Sequence, residues 1–307
     1  MQTVNFNAIE KLDFRTKESY KTLRTNLEFS GRDRKVISVT SCTPNEGKTS
    51  VSFQLALSIA EGGKRVALVD ADLRKSVLKG RYKTNASKYG LSHYLSGQAS
   101  ISDISCNTNI ENFYVIFSGP VPPNPSELLG NDAFRLLLEY LRNEYDYVIV
   151  DTPPLGSVID GAVAARYCDG TVIVVESGAI SYKFAQKVKE QLEKVDCRIL
   201  GVILNKVNMS GKGYYGAYYG KYYGKYYGKY YGNTEEGGLH SVVVQKGLKS
   251  AKTGQKQEER DSFQRDYEEK IVNKMEDGLA MTTETADDYR RLADEESIIA
   301  LDMVQLD

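Results

Sequence analysis

The stretch VISVTSCTPNEGKTS, residues 36–50, decides the fold. Its first part, 36–41, is rich in β-branched side chains and reads as a strand. Residues 42–47 are turn formers, and 48–62 space their apolar residues as a helix does. A strand, a loop and a helix joined at Gly47-Lys48-Thr49 is the context that a P-loop requires. In such a loop successive backbone N–H groups and the helix N-terminus surround phosphate oxygens, because those donors have no partner inside the helix. Lys48 can reach the β and γ oxygens, and the Thr49 hydroxyl can bind Mg²⁺. Cys42, Thr43, Pro44, Asn45, Glu46, Gly47, Lys48, Thr49 and Ser50 are therefore the candidate nucleotide-binding residues. Cys42 stands where the pattern GxxxxGK[ST] has its first glycine, so a side chain must be fitted at a turn without glycine's freedom.

Outward from this stretch, short β-branched runs at 65–70, 113–117, 147–151, 171–176 and 199–205 alternate with helical spacing at 131–143 and 181–195. The runs are apolar on both faces, which suits the strands of a mostly parallel sheet covered by helices, and the expected class is an α/β nucleotide-binding domain. Four regions follow: an N-terminal segment, 1–35, with a charged helix over about 15–29; the α/β domain, 36–210; a tyrosine-rich tail, 211–233; and a charged extension, 234–307. In the extension Phe263, Tyr267, Ile271, Met275 and Leu279 recur every four residues, which suggests a solvated, partly helical or disordered segment too short to form a core alone.

Two strands end in acids. VALVDADLR, 66–74, places Asp70 and Asp72 at the carboxyl edge of the sheet with Arg74 beyond them. Paired carboxylates there can share Mg²⁺ coordination and accept a proton from an attacking hydroxyl. YVIVD, 147–151, ends in Asp151, placed for Mg²⁺ in the manner of a Walker B acid. Lys48, Asp70, Asp72 and Asp151 are the candidate catalytic set, with Thr49, Asp72 and Asp151 as metal ligands. Asn205 ends a further strand and can offer its amide to a purine, although Asn is also an ordinary turn residue.

With 307 residues the chain can hold one large domain with extensions, and a net charge of −1 gives no bulk attraction for nucleic acid. Cys42, Cys106, Cys168 and Cys197 lack CxxC spacing and only two histidines accompany them, which argues against zinc. No signal peptide or apolar run of spanning length is visible, so the expected location is cytoplasmic, with any membrane recruitment through a partner.

Ten of the 22 tyrosines fall in one tract: Tyr214, Tyr215, Tyr218, Tyr219, Tyr222, Tyr223, Tyr226, Tyr227, Tyr230 and Tyr231. Glycine at every fourth position disfavours a helix, and a period of four does not fit a half-buried strand. The tract reads as a phosphorylation substrate, since each phosphate brings about −1.5 to −2 charges. Its alternative is a sticky low-complexity segment.

Taken together, residues 15–232 resemble the bacterial tyrosine kinases linked to capsule and exopolysaccharide synthesis. The Walker A loop matches 41–49, the Walker A′ Asp-x-Asp strand 66–74 and the Walker B strand 147–151, and GPVPPNPSELL, 119–129, also looks like the family. The resemblance implies a Mg·ATP-dependent autokinase whose subunits phosphorylate one another's tails. It also implies a ring-like homo-oligomer held by a Glu-x-x-Arg-x-x-Arg helix, matched here by Glu18, Lys21 and Arg24 with lysine in the first arginine place. Further implied are a transmembrane activator or chain-length determinant that docks the kinase at the inner membrane face, other protein-tyrosine substrates, and a phosphatase. Residues after 233 do not match the family's usual ending. Two rivals are a partitioning or site-selection ATPase of the same superfamily, which would carry lysine at Thr43 and glycines at Pro44 and Asn45, and a noncatalytic nucleotide-binding scaffold.

Overall fold

The computed structural model describes residues 2–207 apart from Arg32 and Ala86; the tyrosine tract and the charged extension lie outside the described residues. In chain order the elements are β1 Gln2–Val4, α1 Phe14–Phe29, β2 Val36–Ser41, α2 Lys48–Glu61 and β3 Val66–Asp70. Three short helices follow, α3 Leu78–Arg81, α4 Leu91–Leu95 and α5 Ile101–Ile104, then β4 Ser105–Thr108 and β5 Phe113–Ile116. The remainder is α6 Pro125–Leu129, α7 Asp132–Glu144, β6 Tyr147–Asp151, α8 Asp160–Ala165, β7 Gly170–Glu176, α9 Tyr182–Glu193 and β8 Ile199–Asn205.

The eight strands form one sheet in the order β1-β4-β5-β3-β6-β2-β7-β8, parallel at every pairing except β4 with β5. Two-residue alternation divides the core between the faces. Leu68, Ile149, Ile37 and Val39 join a layer with Leu23 and Leu27 of α1 and Leu55 and Ile59 of α2. Ala67, Val69, Val148 and Val150 join the opposite layer with Phe134, Leu137 and Leu141 of α7. Burial on both faces explains why these strands read as continuous apolar runs and not as alternating ones.

The sequence expectations for β2, β6 and β8 match the structure residue for residue, and those for β3, β5 and β7 to within one residue. β1 and β4 have no counterpart in the sequence reading. Each is short and polar, and β4 takes its strand form from antiparallel pairing with β5. Through β1, and through Tyr20, Leu23 and Leu27 of α1, the N-terminal segment shares the sheet and core of the rest. Phe6 adds to this, packing edge-on to Phe53 at 4.9 Å, while Phe53 stacks on Tyr82 at 3.7 Å. No helix among the described residues is long and apolar enough to cross a membrane.

Candidate active site

The carboxyl ends of β2, β3, β6 and β8 converge on one cleft of about 410 Å³. Parallel strands place their C-terminal loops on a common edge, which is why residues far apart in the chain meet there. Pro44, Asn45, Gly47, Lys48 and Thr49 line it from the loop and the start of α2, and Asp72, Arg74 and Lys75 from the segment after β3.

The loop owes its shape to two left-handed residues, Asn45 (φ 70°) and Gly47 (φ 91°). Gly47 is required twice, because a Cβ there would also lie 2.1 Å from Asn205 Nδ2. α2 starts at Lys48 with no side chain capping its N-terminus, so the loop's end offers backbone donors to an anion. Cys42 is not among the residues with positive φ and is fully buried, so the turn accommodates its side chain without the conformation that would demand glycine. Burial also pushes its thiol up to about 12, leaving it uncharged.

Glu46 braces the loop from inside. Thr43 N–H donates to its Oε2 at 2.6 Å and Glu176 N–H to its Oε1 at 3.3 Å. From β8, Asn205 Nδ2 donates to Glu46 O at 2.8 Å and Lys206 Nζ to Asn45 O at 2.7 Å, while Lys206 also pairs with Glu176 at 2.8 Å. Asn205 Oδ1 is buried with no hydrogen-bond partner, an acceptor left open.

Lys48 and three carboxylates form the centre. Lys48 Nζ lies 3.1 Å from Asp72 Oδ2, 3.7 Å from Asp151 Oδ1 and 3.3 Å from Thr49 Oγ1. Burial works against the Lys48 charge, but Asp151 and Asp72 outweigh it and hold its pKa above the ordinary lysine value. Asp151 is buried, accepts from Ser52 Oγ at 3.2 Å, and is pushed up by burial despite Lys48. Asp70 accepts from Ser76 Oγ, and burial, with Asp151 next, raises it to about 7. Three acids against one lysine leave this buried cluster short of positive charge. Asp70 Oδ1 and Asp151 Oδ2 are buried without hydrogen-bond partners and, with the Thr49 hydroxyl, are oxygen donors of the kind a hard divalent cation takes, although no three carboxylates among the described residues are gathered into a metal-holding group.

The two acids of the Asp-x-Asp strand are not equivalent. Asp70 ends β3 and is 1% exposed, whereas Asp72 lies beyond the strand and lines the cleft, with Lys75 N–H donating to its Oδ1 at 2.9 Å. Sequence reasoning missed Asp160. Fully buried at the start of α8, it accepts Arg74 Nε at 2.7 Å and Nη2 at 3.0 Å, and Ser126 Oγ at 2.5 Å. Despite burial, Arg74 and Ser126 hold its pKa below the usual carboxylate value. This ties Arg74 to the first turns of α6 and α8, and no spacing in the sequence announces it.

Glu18, Lys21 and Arg24 lie apart from the cleft on α1. Glu18 and Lys21 pair with each other at 2.6 Å on the surface, while Arg24 Nη1 donates to Ser58 O at 2.5 Å near the end of α2. Arg24 is thus engaged within the chain. The ten tract tyrosines lie outside the described residues.

A family model described as an AAA domain matches residues 34–204, which include the loop and both acidic strand ends. The chain is 45% identical over 200 residues to the tyrosine-protein kinase CpsD of Streptococcus agalactiae, covering 65% of this chain and 87% of that protein. It is 38% identical over 204 residues to the tyrosine-protein kinase YwqD of Bacillus subtilis strain 168, covering 65% and 86%. Among solved structures it is similar to the kinase domain of the Escherichia coli tyrosine kinase ETK, at 37% identity and a TM-score of 0.62, over 65% of this chain and 78% of that one. A strand-loop-helix that presents a lysine to three strand-end acids, in a chain this similar to those enzymes, makes this protein a tyrosine kinase that belongs to the bacterial tyrosine-protein kinases of the P-loop superfamily.

Proposed function

We propose that the protein transfers the γ-phosphoryl group of Mg·ATP to Tyr214, Tyr215, Tyr218, Tyr219, Tyr222, Tyr223, Tyr226, Tyr227, Tyr230 and Tyr231 of a neighbouring copy, and thereby regulates capsular or exopolysaccharide synthesis and export. The observation that carries this reading is Lys48 with Asp72 and Asp151 each within 4 Å of its Nζ, at a cleft beside an uncapped helix. Residues 42–50 hold the phosphates, Lys48 neutralises the γ oxygens, and Asn205 Oδ1 accepts from the amino group of the purine. Thr49, Asp72 and Asp151 would hold Mg²⁺, which when bound supplies charge neutralisation on the phosphates. The phenolic oxygen bonds to the γ-phosphorus as the bond to the ADP oxygen breaks. Asp72, which reaches the cleft, takes the phenolic proton with Asp70 behind it. Positioning and charge carry such a transfer, with no covalent nucleophile.

In this reading residues 36–210 are the kinase domain, 211–233 the acceptor tail and 234–307 an extension of separate role. Glu18, Lys21 and Arg24 contribute to a ring of subunits, and a transmembrane activator draws the cytoplasmic kinase to the inner membrane face. A mixing experiment tests the core of it. An active kinase with all ten tract tyrosines changed to phenylalanine, incubated with ATP and Mg²⁺, should phosphorylate the tail of a Lys48→Met partner, as mapped by mass spectrometry. Lys48→Met alone should fall at least about 100-fold in autophosphorylation. Phosphate absent from the partner's tail, or found with Lys48→Met alone, overturns the proposal.

A further inference from the structure

Residues 74–88, RKSVLKGRYKTNASK, carry six cations and no acid in a chain whose net charge is −1. Three of the six have a partner. Arg74 is bound by Asp160, Lys79 Nζ sits 5.0 Å from the Phe117 ring centre, and Lys88 Nζ sits 5.0 Å from that of Tyr89. Lys75 and Arg81 are exposed, line the cleft, and form no ion pair among the described residues. The other cleft lysines are balanced, Lys48 by Asp72 and Asp151 and Lys206 by Glu176. The surplus positive charge in the cleft is therefore carried by the segment that follows β3. Lys75 is held at the reacting centre, since its own backbone N–H donates to Asp72.

We propose that Lys75 and Arg81 form an anion subsite selecting acceptor tyrosines that neighbour a phosphotyrosine, so that modification of the tail is primed by its own product. The inference rests on the reading of the tail as the acceptor. Unmodified, residues 211–233 carry Lys212, Lys221, Lys225 and Lys229 and no acid, so two further cations give them no attraction. One phosphotyrosine brings about −1.5 to −2 charges and three acceptor oxygens, a match for a guanidinium fork and an ammonium that line the same cleft. The tract is built for such a step. Its tyrosines come in adjacent pairs repeating every four residues, a spacing of roughly 13 to 14 Å in extended chain. While one tyrosine occupies the reacting centre, a modified neighbour one or four residues away is within reach of the same cleft's rim. The bond changes are those of the parent reaction: phenolic oxygen to γ-phosphorus formed, γ-phosphorus to ADP oxygen broken, the proton passed to a carboxylate. The priming phosphate is bound and not transferred.

The test uses the full chain with its ten tract tyrosines changed to phenylalanine and two peptides spanning residues 221–228, one unmodified and one phosphorylated at Tyr223. Steady-state transfer from ATP should show kcat/KM about 2- to 30-fold higher for the phosphorylated peptide, the range expected of two exposed charge pairs. The preference should shrink with salt. Adding Lys75→Ala and Arg81→Ala should bring the two peptides to equal kcat/KM, a ratio read within one protein and so independent of any change in its absolute rate. Equal efficiency for the two peptides in the parent protein overturns the subsite alone. A KM for ATP that rises equally with either peptide assigns the two cations to the nucleotide and also overturns it. Transfer to neither peptide overturns the acceptor reading, and the subsite with it.

Discussion

Replacing Asp70 by asparagine should stabilise the protein above neutral pH while abolishing its activity. The carboxyl is 1% exposed, its Oδ1 has no donor, and it shares the cluster with Asp72 and Asp151 against Lys48 alone. Burial first, and Asp151 second, raise its pKa from 3.8 to about 7. The folded state therefore binds more protons than the unfolded chain between those values. The group's contribution to stability is fully present below about pH 4 and is lost as pH rises through about 7. A shift of about 3 units at 1.36 kcal/mol each sets a ceiling of about 4 kcal/mol. Integrated over the two titrations, the cost of the charge grows by roughly 2 to 3 kcal/mol from pH 5 to pH 8. Asparagine keeps the shape and the Ser76 contact without the charge. Urea unfolding of wild type and Asp70→Asn at pH 5 and pH 8, in EDTA and without nucleotide, measures the gap. It should widen in the variant's favour by that amount, and Mg·ATP should narrow it at pH 8 by binding the wild type. A variant no more stable than wild type at pH 8, or a gap that does not change with pH, refutes the reasoning.

Two further expectations concern the residues around this cluster. Asp160→Asn and Arg74→Lys each remove the bidentate fork that anchors residues 72–76, so kcat should fall about 10- to 100-fold with the KM for ATP nearly unchanged, read by steady-state kinetics; an equal rise in KM would mean that the pair serves nucleotide binding. On α1, Arg24→Ala should cost about 1 to 3 kcal/mol in unfolding experiments because it removes a charge-assisted bond to Ser58 O, whereas Glu18→Ala with Lys21→Ala should leave stability unchanged and shift the oligomer toward monomer in light scattering. An unchanged oligomer in both variants would leave the helix with a role in folding only.

The parallel core was legible because burial on both faces makes β2, β3, β6, β7 and β8 continuous apolar runs, and because an acid at the end of such a run marks the carboxyl edge. What lay beyond reach was set by pairing across long separations. Ser105-Cys-Asn-Thr108 has no strand pattern of its own and becomes β4 only against β5 and β1. Asp160 reads as an ordinary helix-start acid until Arg74, 86 residues away, is placed beside it. The residue types of the centre were readable, but their settings were not: both acids of the Asp-x-Asp pair are buried, and of the two only Asp72, beyond the end of β3, lines the cleft. Cys42 was unreadable in the same way, since only the backbone shows that the left-handed turns fall at Asn45 and Gly47 instead.

The bracing of the nucleotide loop by β8 has a practical corollary for protein engineering. Asn205 and Lys206, the last strand residue and the one after it, hold the carbonyls of Glu46 and Asn45, and Val207 beyond them is buried. The loop is thus fastened by the residues from which the chain runs on toward its tyrosines. A truncated kinase intended to report on chemistry without the tail must keep Val207. Cutting two or three residues earlier would remove the loop's outer fastenings along with the tail, and an inactive product would then be mistaken for proof that the tail activates the enzyme.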